Sequence, residues 1–433
     1  MSDRMMKRYI ASTALSLGAL TLVYAGQLRA APFEVVQIKG AEFISESDIA
    51  LACDITPGVE YSADDMRDVE GCLMQSGQFR SVEVRGEGET LVVAVEELET
   101  RPGRLELGLA YDSRDSATAN LYFERYNLFP GVFGAVDLKY SKQVAALQTS
   151  LYAADAFGDV DFGIDTALRR TDYDDQGFSS RRALIEPYLA YQLPSGLRGE
   201  LGLGYRMDEM KDPQAGASAL FAAEAGRVDA PYLRFGLRYS DGVDSGEVGA
   251  LTGVSVTFDH YFWGLGSDHR SSETRVALNA RMAVSEKTSL LLGAQAGMVS
   301  AEGGQSTRAV DRFFIGGSDF RGFAPRGIGP KDGDHWVGAN RYFVTSIELQ
   351  HEVDQIFGSS AKVGLFADIG SAWGLDDTLG GAIDDARYMR STIGLSLTLD
   401  LGNVPVSIFV AKPLESRPGD DAQSFGLSFS TTF

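Results

Sequence analysis

From residue 99 to the C-terminus, segment after segment has an apolar residue at nearly every second position, and few folds can accommodate that pattern over such a length. Leu105, Leu107, Leu109 and Tyr111 alternate with Arg104, Glu106, Gly108 and Ala110. Val136, Leu138 and Tyr140 alternate with Asp137, Lys139 and Ser141. The same holds for Val160, Phe162, Ile164 and Leu168, for Leu201, Leu203 and Tyr205, and for Val276, Leu278 and Met282. Period-two alternation means a strand with one apolar and one polar face. A soluble sandwich alternates too, but its strands tend to be shorter. Here many segments run about ten residues, the length of a tilted strand crossing hydrocarbon. Such strands must close on themselves, because lipid cannot satisfy the amides of an open edge. Roughly sixteen can be counted, the kind of even number bacterial barrels have. The mean hydropathy of −0.08 excludes only a helical membrane protein, since alternate polar residues hold a barrel's average near zero. Tight turns such as Ala156-Phe157-Gly158 alternate with longer polar loops, and residues 207–227 read as one long loop with a helical turn at 218–225.

Residues 1–31 differ from everything after them. Arg4, Lys7 and Arg8 precede a run of small and apolar residues, and Ala25, Ala30 and Ala31 offer cleavage sites. This pattern is that of a secretory signal peptide, since the apolar core is short for a membrane span. Two cysteines, Cys53 and Cys72, in an exported chain suggest one disulfide. The net charge of −21 argues against nucleic acid, which needs clustered Lys and Arg to neutralise phosphate.

Residues 32–98 read as a small α+β domain in the order strand, helix, helix, strand, strand. A strand over 33–39 ends at Gly40. Ser45, with Asp48 three residues on, opens a first helix as a capping-box variant, and Ser62 caps a second over 63–75. In the second helix Met66, Val69, Leu73 and Met74 fall towards one face, and Gly77 stops it. Val82 and Val84 mark the next strand, Gly86-Glu87-Gly88 a turn, and 90–95 the last strand. With Gly40, Ile49, Gly58, Gly77, Phe79, Val82, Val84, Val93, Val95 and Glu97 at these places, the domain resembles a POTRA domain. The resemblance implies a periplasmic module that receives unfolded chains, in part by adding a strand to an exposed sheet edge. It places Cys53 at the end of the first helix and Cys72 within the second, consistent with a helix–helix staple. Fifteen acidic residues against four basic in this domain are read as a solvated surface.

Residues 311–330 break the alternation. They hold five glycines, two prolines and three arginines (Arg312, Arg321, Arg326) among Phe313, Phe314, Phe320 and Phe323. A long irregular segment in a compact fold is functional or disordered, and disordered segments are poor in aromatics, so an ordered loop is expected. Ile315-Gly316-Gly317, then Phe320-Arg321-Gly322-Phe323, continuing through residues 324–330, resembles the hallmark loop of the BamA/TamA superfamily of outer-membrane assembly and translocation barrels. Similar stretches follow at residues 346–349, 366–370 and 411–414. The ending, with Phe425, Leu427, Phe429 and Phe433 interleaved with small polar residues, resembles the terminal strand by which such proteins are recognised.

Strand parity adds a prediction. Phe343, Ile347 and Leu349 share one face, as do Val363, Leu365 and Ile369. If those faces meet lipid, Glu348 and Asp368 line the lumen on neighbouring strands. Arg321 on a loop folded inward is their natural partner through forked, charge-assisted hydrogen bonds, with Gly316, Gly317 and Gly322 allowing close approach. The resemblance gives this arginine the role of a latch. It further implies that the first and last strands form a weak seam able to open sideways and template a client strand.

No metal-ligand spacing, cofactor motif or nucleophile elbow is found, so an enzyme is not expected and no cofactor or metal is implied. The resemblance implies outer-membrane lipids as surroundings, unfolded outer-membrane proteins as clients, or else one dedicated secreted partner. Periplasmic accessory proteins are further implied partners, and the expected location is the outer membrane of a Gram-negative bacterium. A single POTRA-like domain departs from assembly members, which carry several, and keeps the secretion alternative open.

Overall fold

The computed structural model describes residues 33–41, 44, 46–53, 55–75, 79–97, 103–112, 116–129, 131–173, 177–193, 196–211, 213–214, 216–240, 251–356, 359–401 and 404–432. Residues 1–31, Ser45, Gly77, the 101–102 linker and Phe433 lie outside them, as do the side chains of Asp48 and Phe429. The chain divides into two units, residues 1–100 and 101–433.

In the first unit, β1 (Val35–Lys39), α1 (Glu46–Ala52), α2 (Ala63–Gln75), β2 (Phe79–Glu87) and β3 (Thr90–Glu97) follow one another. β3 is the middle strand, parallel to β1 and antiparallel to β2. Its Leu91, Val93 and Val95 bury against Ile49 of α1 and Val69 and Leu73 of α2. This is the usual result when an amphipathic helix covers one face of a sheet. β2 extends through Gly86 and Glu87, so the turn falls at 88–89 instead of spanning 86–88. The alternation of Phe79, Val82 and Val84 breaks at a register shift, which obscures the strand's length in the sequence. Ser62 and Asp65 cap α2 reciprocally: the Ser62 amide donates to Asp65 Oδ2 (2.8 Å) and the Asp65 amide to Ser62 Oγ (3.2 Å). A disulfide joins Cys53 to Cys72. Gly40 has φ +85°, and a Cβ there would lie 2.0 Å from the Val95 carbonyl oxygen, so only glycine fits.

The second unit is a closed barrel of sixteen strands. They are β4 (Gly103–Asp112), β5 (Ser116–Phe129), β6 (Val132–Ser141), β7 (Val144–Ala153), β8 (Val160–Tyr173), β9 (Phe178–Gln192), β10 (Leu197–Lys211), β11 (Gly226–Ser240), β12 (Leu251–Trp263), β13 (Ser271–Ser285), β14 (Thr288–Ala301), β17 (Arg341–Ile356), β18 (Ser359–Trp373), β19 (Arg390–Leu401), β20 (Val404–Glu415) and β21 (Phe425–Thr432). Every neighbouring pair is antiparallel, and β21 closes on β4. That ladder runs from Leu427 opposite Tyr111 to Thr432 opposite Glu106, six pairs, against fourteen between β10 and β11. No helix among the described residues is long and apolar enough to cross a membrane.

Outward residues are large and apolar: Leu107, Leu109, Tyr111, Leu201, Leu203, Ile347, Leu349, Leu365 and Ile369 are all exposed. Inward positions carry buried charge, including Asp161, Glu186, Asp208, Arg234, Glu273, Glu348 and Asp368. That inversion is the pattern of a membrane barrel. It also explains a difference from the sequence reading. Residues 207–211 belong to β10 and 226–227 to β11, so the long loop is shorter than expected. There the alternation is masked, because Arg206, Asp208 and Met210 point inward and are buried while Glu209 and Lys211 lie on the other face. The helical turn is α3 (Ala219–Glu224), capped by Ser218.

The chain enters the barrel at the start of β4. The long connections lie at the opposite end: 212–225, 302–340, 374–389 and 416–424. The 302–340 connection includes the two-residue strands β15 (Lys331–Asp332) and β16 (His335–Trp336). Two buried apolar clusters organise these connections. One gathers Phe313, Ile315, Phe320, Phe323 and Ile328 onto Val299, Val344 and Ala372 of the wall. The other joins Phe178, Met210, Phe221, Ala309, Val337 and Ile383.

Candidate functional site

Residues 311–330 fold as a tight element inside the barrel. Its amides bond internally, Gly317 to the Phe323 carbonyl (2.8 Å) and Gly327 to Ala324 (2.9 Å), and Ile315 bridges Ile328. Phe320 and Phe323 pack edge to face and are fully buried. Gly316 needs its φ of +137°, for a Cβ there would sit 1.9 Å from the Ala324 carbonyl oxygen. Gly322 (φ +96°) lets the backbone approach Thr392 of β19 and Ala411 of β20.

Arg321 meets the wall where β17 and β18 pair. Ser346 lies opposite Asp368, and Glu348 opposite Phe366. The guanidinium grips Asp368 in a fork, Nε to Oδ2 at 2.9 Å and Nη2 to Oδ1 at 2.8 Å, while its own backbone amide donates to the same carboxylate at 3.2 Å. Nη1 donates to Glu348, and Nη2 reaches Ser346 Oγ at 2.8 Å. Both carboxylates have further donors. Ser346 Oγ serves Asp368 at 2.7 Å, and Ser396 Oγ and Gln350 Nε2 serve Glu348 at 2.6 and 2.9 Å. The guanidinium carbon lies 3.5 Å from the Phe366 ring centre, a cation–π contact. Gly394, opposite Phe366, leaves room for that ring, since a Cβ there would lie 2.3 Å from it.

Asp311 makes a second anchor on another part of the wall. It accepts from Arg206 Nη2 of β10 at 2.9 Å and from Arg182 Nη2 of β9 at 3.4 Å. Asp208 pairs with both arginines, and Arg206 lies 4.2 Å over the Trp263 ring. Burial alone would push the Asp311 carboxyl up; the surrounding arginines outweigh it and hold the group below its usual range. Around the ring, four strands separate this anchor from the Arg321 anchor one way and eight the other. Further ties run from Arg326 to Gln143, between β6 and β7, at 3.0 Å, and from the Ala324 and Gly327 backbone to Asp421, between β20 and β21. Arg312 forks onto Glu224 of α3 at 2.8 and 3.0 Å.

Among the residues singled out in the sequence, Gly316, Gly317, Phe320, Arg321, Gly322, Phe323, Glu348 and Asp368 thus lie together. Phe425 and Leu427 lie apart on β21, and Cys53 and Cys72 in the first unit. Sequence reasoning missed Ser346, Phe366 and Ser396 at the Arg321 site and the whole Asp311 anchor. Ser346 and Phe366 lie on the lumen parity of the same two strands, so that parity could have found them. No group of His, Cys, Asp and Glu among the described residues is arranged to hold a metal ion.

Residues 111–433, well over half of the chain, match the Omp85 superfamily domain. The chain belongs to the Omp85 superfamily. The outer membrane protein assembly factor BamA of Neorickettsia risticii is 26% identical over 244 residues, 55% of this chain but 32% of that protein, so the match spans about a third of the relative's length. Among solved structures, BamA from Haemophilus ducreyi lacking POTRA domains 1–3 superposes with a TM-score of 0.73 at 16% identity, covering 92% of this chain and 84% of that one. CdiB from Acinetobacter baumannii gives 0.59 at 10% identity, covering 94% and 74%. These likenesses share the sixteen-strand fold. Omp85 membership makes this chain an outer-membrane barrel of the protein-assembly and secretion class, whose members act as assembly or transport factors and not as enzymes.

Proposed function

We propose that this Omp85 barrel assists insertion of other outer-membrane proteins, with the first unit acting as a periplasmic POTRA domain that receives clients. Residues 1–31 are its export signal, and the barrel end where the chain enters faces the periplasm. The terminal strand with Phe425, Leu427, Phe429 and Phe433 marks the chain itself for assembly, and the Arg321 loop latches the barrel wall. One observation carries the choice of insertion over secretion through the lumen. The 311–330 loop crosses the lumen and is held by buried ion clusters on well-separated parts of the wall. A chain passing through the lumen would have to break both. Lateral delivery at the short β21–β4 ladder leaves them intact. Broken antiparallel pairing there would expose an edge able to template a client strand. Secretion of one dedicated partner is the second reading, supported by the fold likeness to CdiB.

Reconstitution separates them. In vesicles, the purified protein speeds folding of an unfolded outer-membrane barrel added from urea. Failure to do so, together with a large steady conductance, would point to a pore.

A further inference from the structure

A single row of charged residues crosses four strands on the outer face of the barrel. Arg170 of β8 stands opposite Arg181 of β9, Arg181 opposite Glu209 of β10, and Glu209 opposite Arg227 of β11. The next row inward along the same face is Leu168, Ala183 and Met207, and the one after it Thr166, Ile185 and Tyr205. Leu168, Ile185, Tyr205 and Met207 are exposed, as lipid-facing residues are. The charged row therefore sits at the rim of the apolar band, at the end of the barrel away from where the chain enters. That is headgroup depth.

Two guanidiniums directly opposite each other on paired strands repel. Arg170 and Arg227 each have an acidic neighbour on their own strand, Asp172 and Asp229. Glu209 is engaged by Lys211. Among the described residues no ion pair is formed by Arg181, the residue between Arg170 and Glu209. Beneath the row opens a hollow of about 490 Å³ walled by Ala145, Leu147, Leu168, Ala183 and Met207. An uncompensated arginine pair over an apolar hollow has one complementary occupant: a phosphate bonded to an acyl chain. Guanidiniums grip phosphate oxygens in a fork, and the hollow takes the hydrocarbon.

We infer that Arg170 and Arg181, with Arg227 beside them, bind the phosphorylated headgroup of an outer-leaflet lipid whose acyl chain lies in the hollow below. The leaflet rests on the orientation proposed above; the binding itself does not.

The test uses the full chain purified in a non-ionic detergent, and native mass spectrometry with diphosphoryl lipid A, with its dephosphorylated form, and with inorganic phosphate as competitor. Wild type retains the phosphorylated lipid, and inorganic phosphate does not displace it. Arg170→Gln/Arg181→Gln holds it roughly tenfold less tightly or worse, and Arg125→Gln, outward on β5 at the opposite end, behaves as wild type. Thermal unfolding adds a change of sign. Arg181→Gln melts at or above wild type in detergent alone, where it relieves repulsion, and below wild type once the lipid is present. Equal retention of both lipid forms, unchanged retention by the double variant, displacement by inorganic phosphate, or a melting order indifferent to lipid would each overturn the site. Lipid binding with no client insertion would count against the proposed function and not against this site.

Discussion

Replacing Arg321 with alanine removes the forked bond to Asp368, the bond to Glu348, the bond to Ser346 and the stack on Phe366 at one stroke. Breaking a buried ion pair from one side costs about 3–5 kcal/mol, because the partner is left charged and dry. Two features move the estimate within that range. Asp368 and Glu348 keep Ser346, Ser396 and Gln350 as donors, and the Arg321 side chain is 16% exposed, so water reaches the gap. The lost cation–π contact adds about 1–2 kcal/mol. A loss of about 3 kcal/mol follows, concentrated in the loop more than in the barrel ladders. Arg321→Lys keeps the charge but cannot fork onto Asp368, and loses about half as much. The assay is hydrogen exchange of residues 311–330 in detergent, read beside urea unfolding. Loop amides in the alanine variant exchange on the order of a hundredfold faster while those of β10 and β11 are unchanged. In a double-mutant cycle with Asp368→Asn the two changes are strongly non-additive. Wild-type protection of the loop in Arg321→Ala, or simple additivity with Asp368→Asn, would refute the latch.

Phe366→Ala removes the ring on which Arg321 stacks and its edge contact with Phe409; it costs about 3 kcal/mol and raises exchange in the loop, again measured amide by amide. Reduction of the Cys53–Cys72 disulfide releases a nineteen-residue loop and lowers the stability of the first unit by about 3 kcal/mol. Non-reducing peptide mapping identifies the bond, and calorimetry with and without reductant reads the loss. Asp65 is held below its usual 3.8 by its bonds to Ser62. A depressed carboxyl stabilises the fold above its unfolded value and loses that contribution as pH falls through the folded value. NMR titration thus finds Asp65 below 3.8 in wild type and returned towards it in Ser62→Ala.

The barrel was legible because lipid imposes a rule on every second residue, and strands such as β4, β17 and β18 obey it over their full length. The rule fails where charge occupies one face and mixed residues the other, as at 207–211, and there the strand reads as loop. Parity alone puts Glu348 and Asp368 on the lumen face. Which other lumen residues meet the loop depends on its path across the interior, and that path is set by contacts remote in sequence. Arg206 and Arg182 are 105 and 129 residues from Asp311, and no local pattern joins them. Phe366 reads as one more aromatic in a strand until Gly394 across the ladder explains its room and Arg321 its partner.

Insertion through the β21–β4 ladder is the claim on which the functional account depends, and a reversible lock tests it most directly. Thr431 and Leu107 face each other across that ladder. Cysteines at both positions, in a Cys53→Ser/Cys72→Ser background, form a bond that holds the strands together when oxidised. Client insertion by this variant in vesicles should stop on oxidation and return on reduction, while the unlocked background remains active under both conditions. Equal insertion by the oxidised and reduced forms would contradict the account.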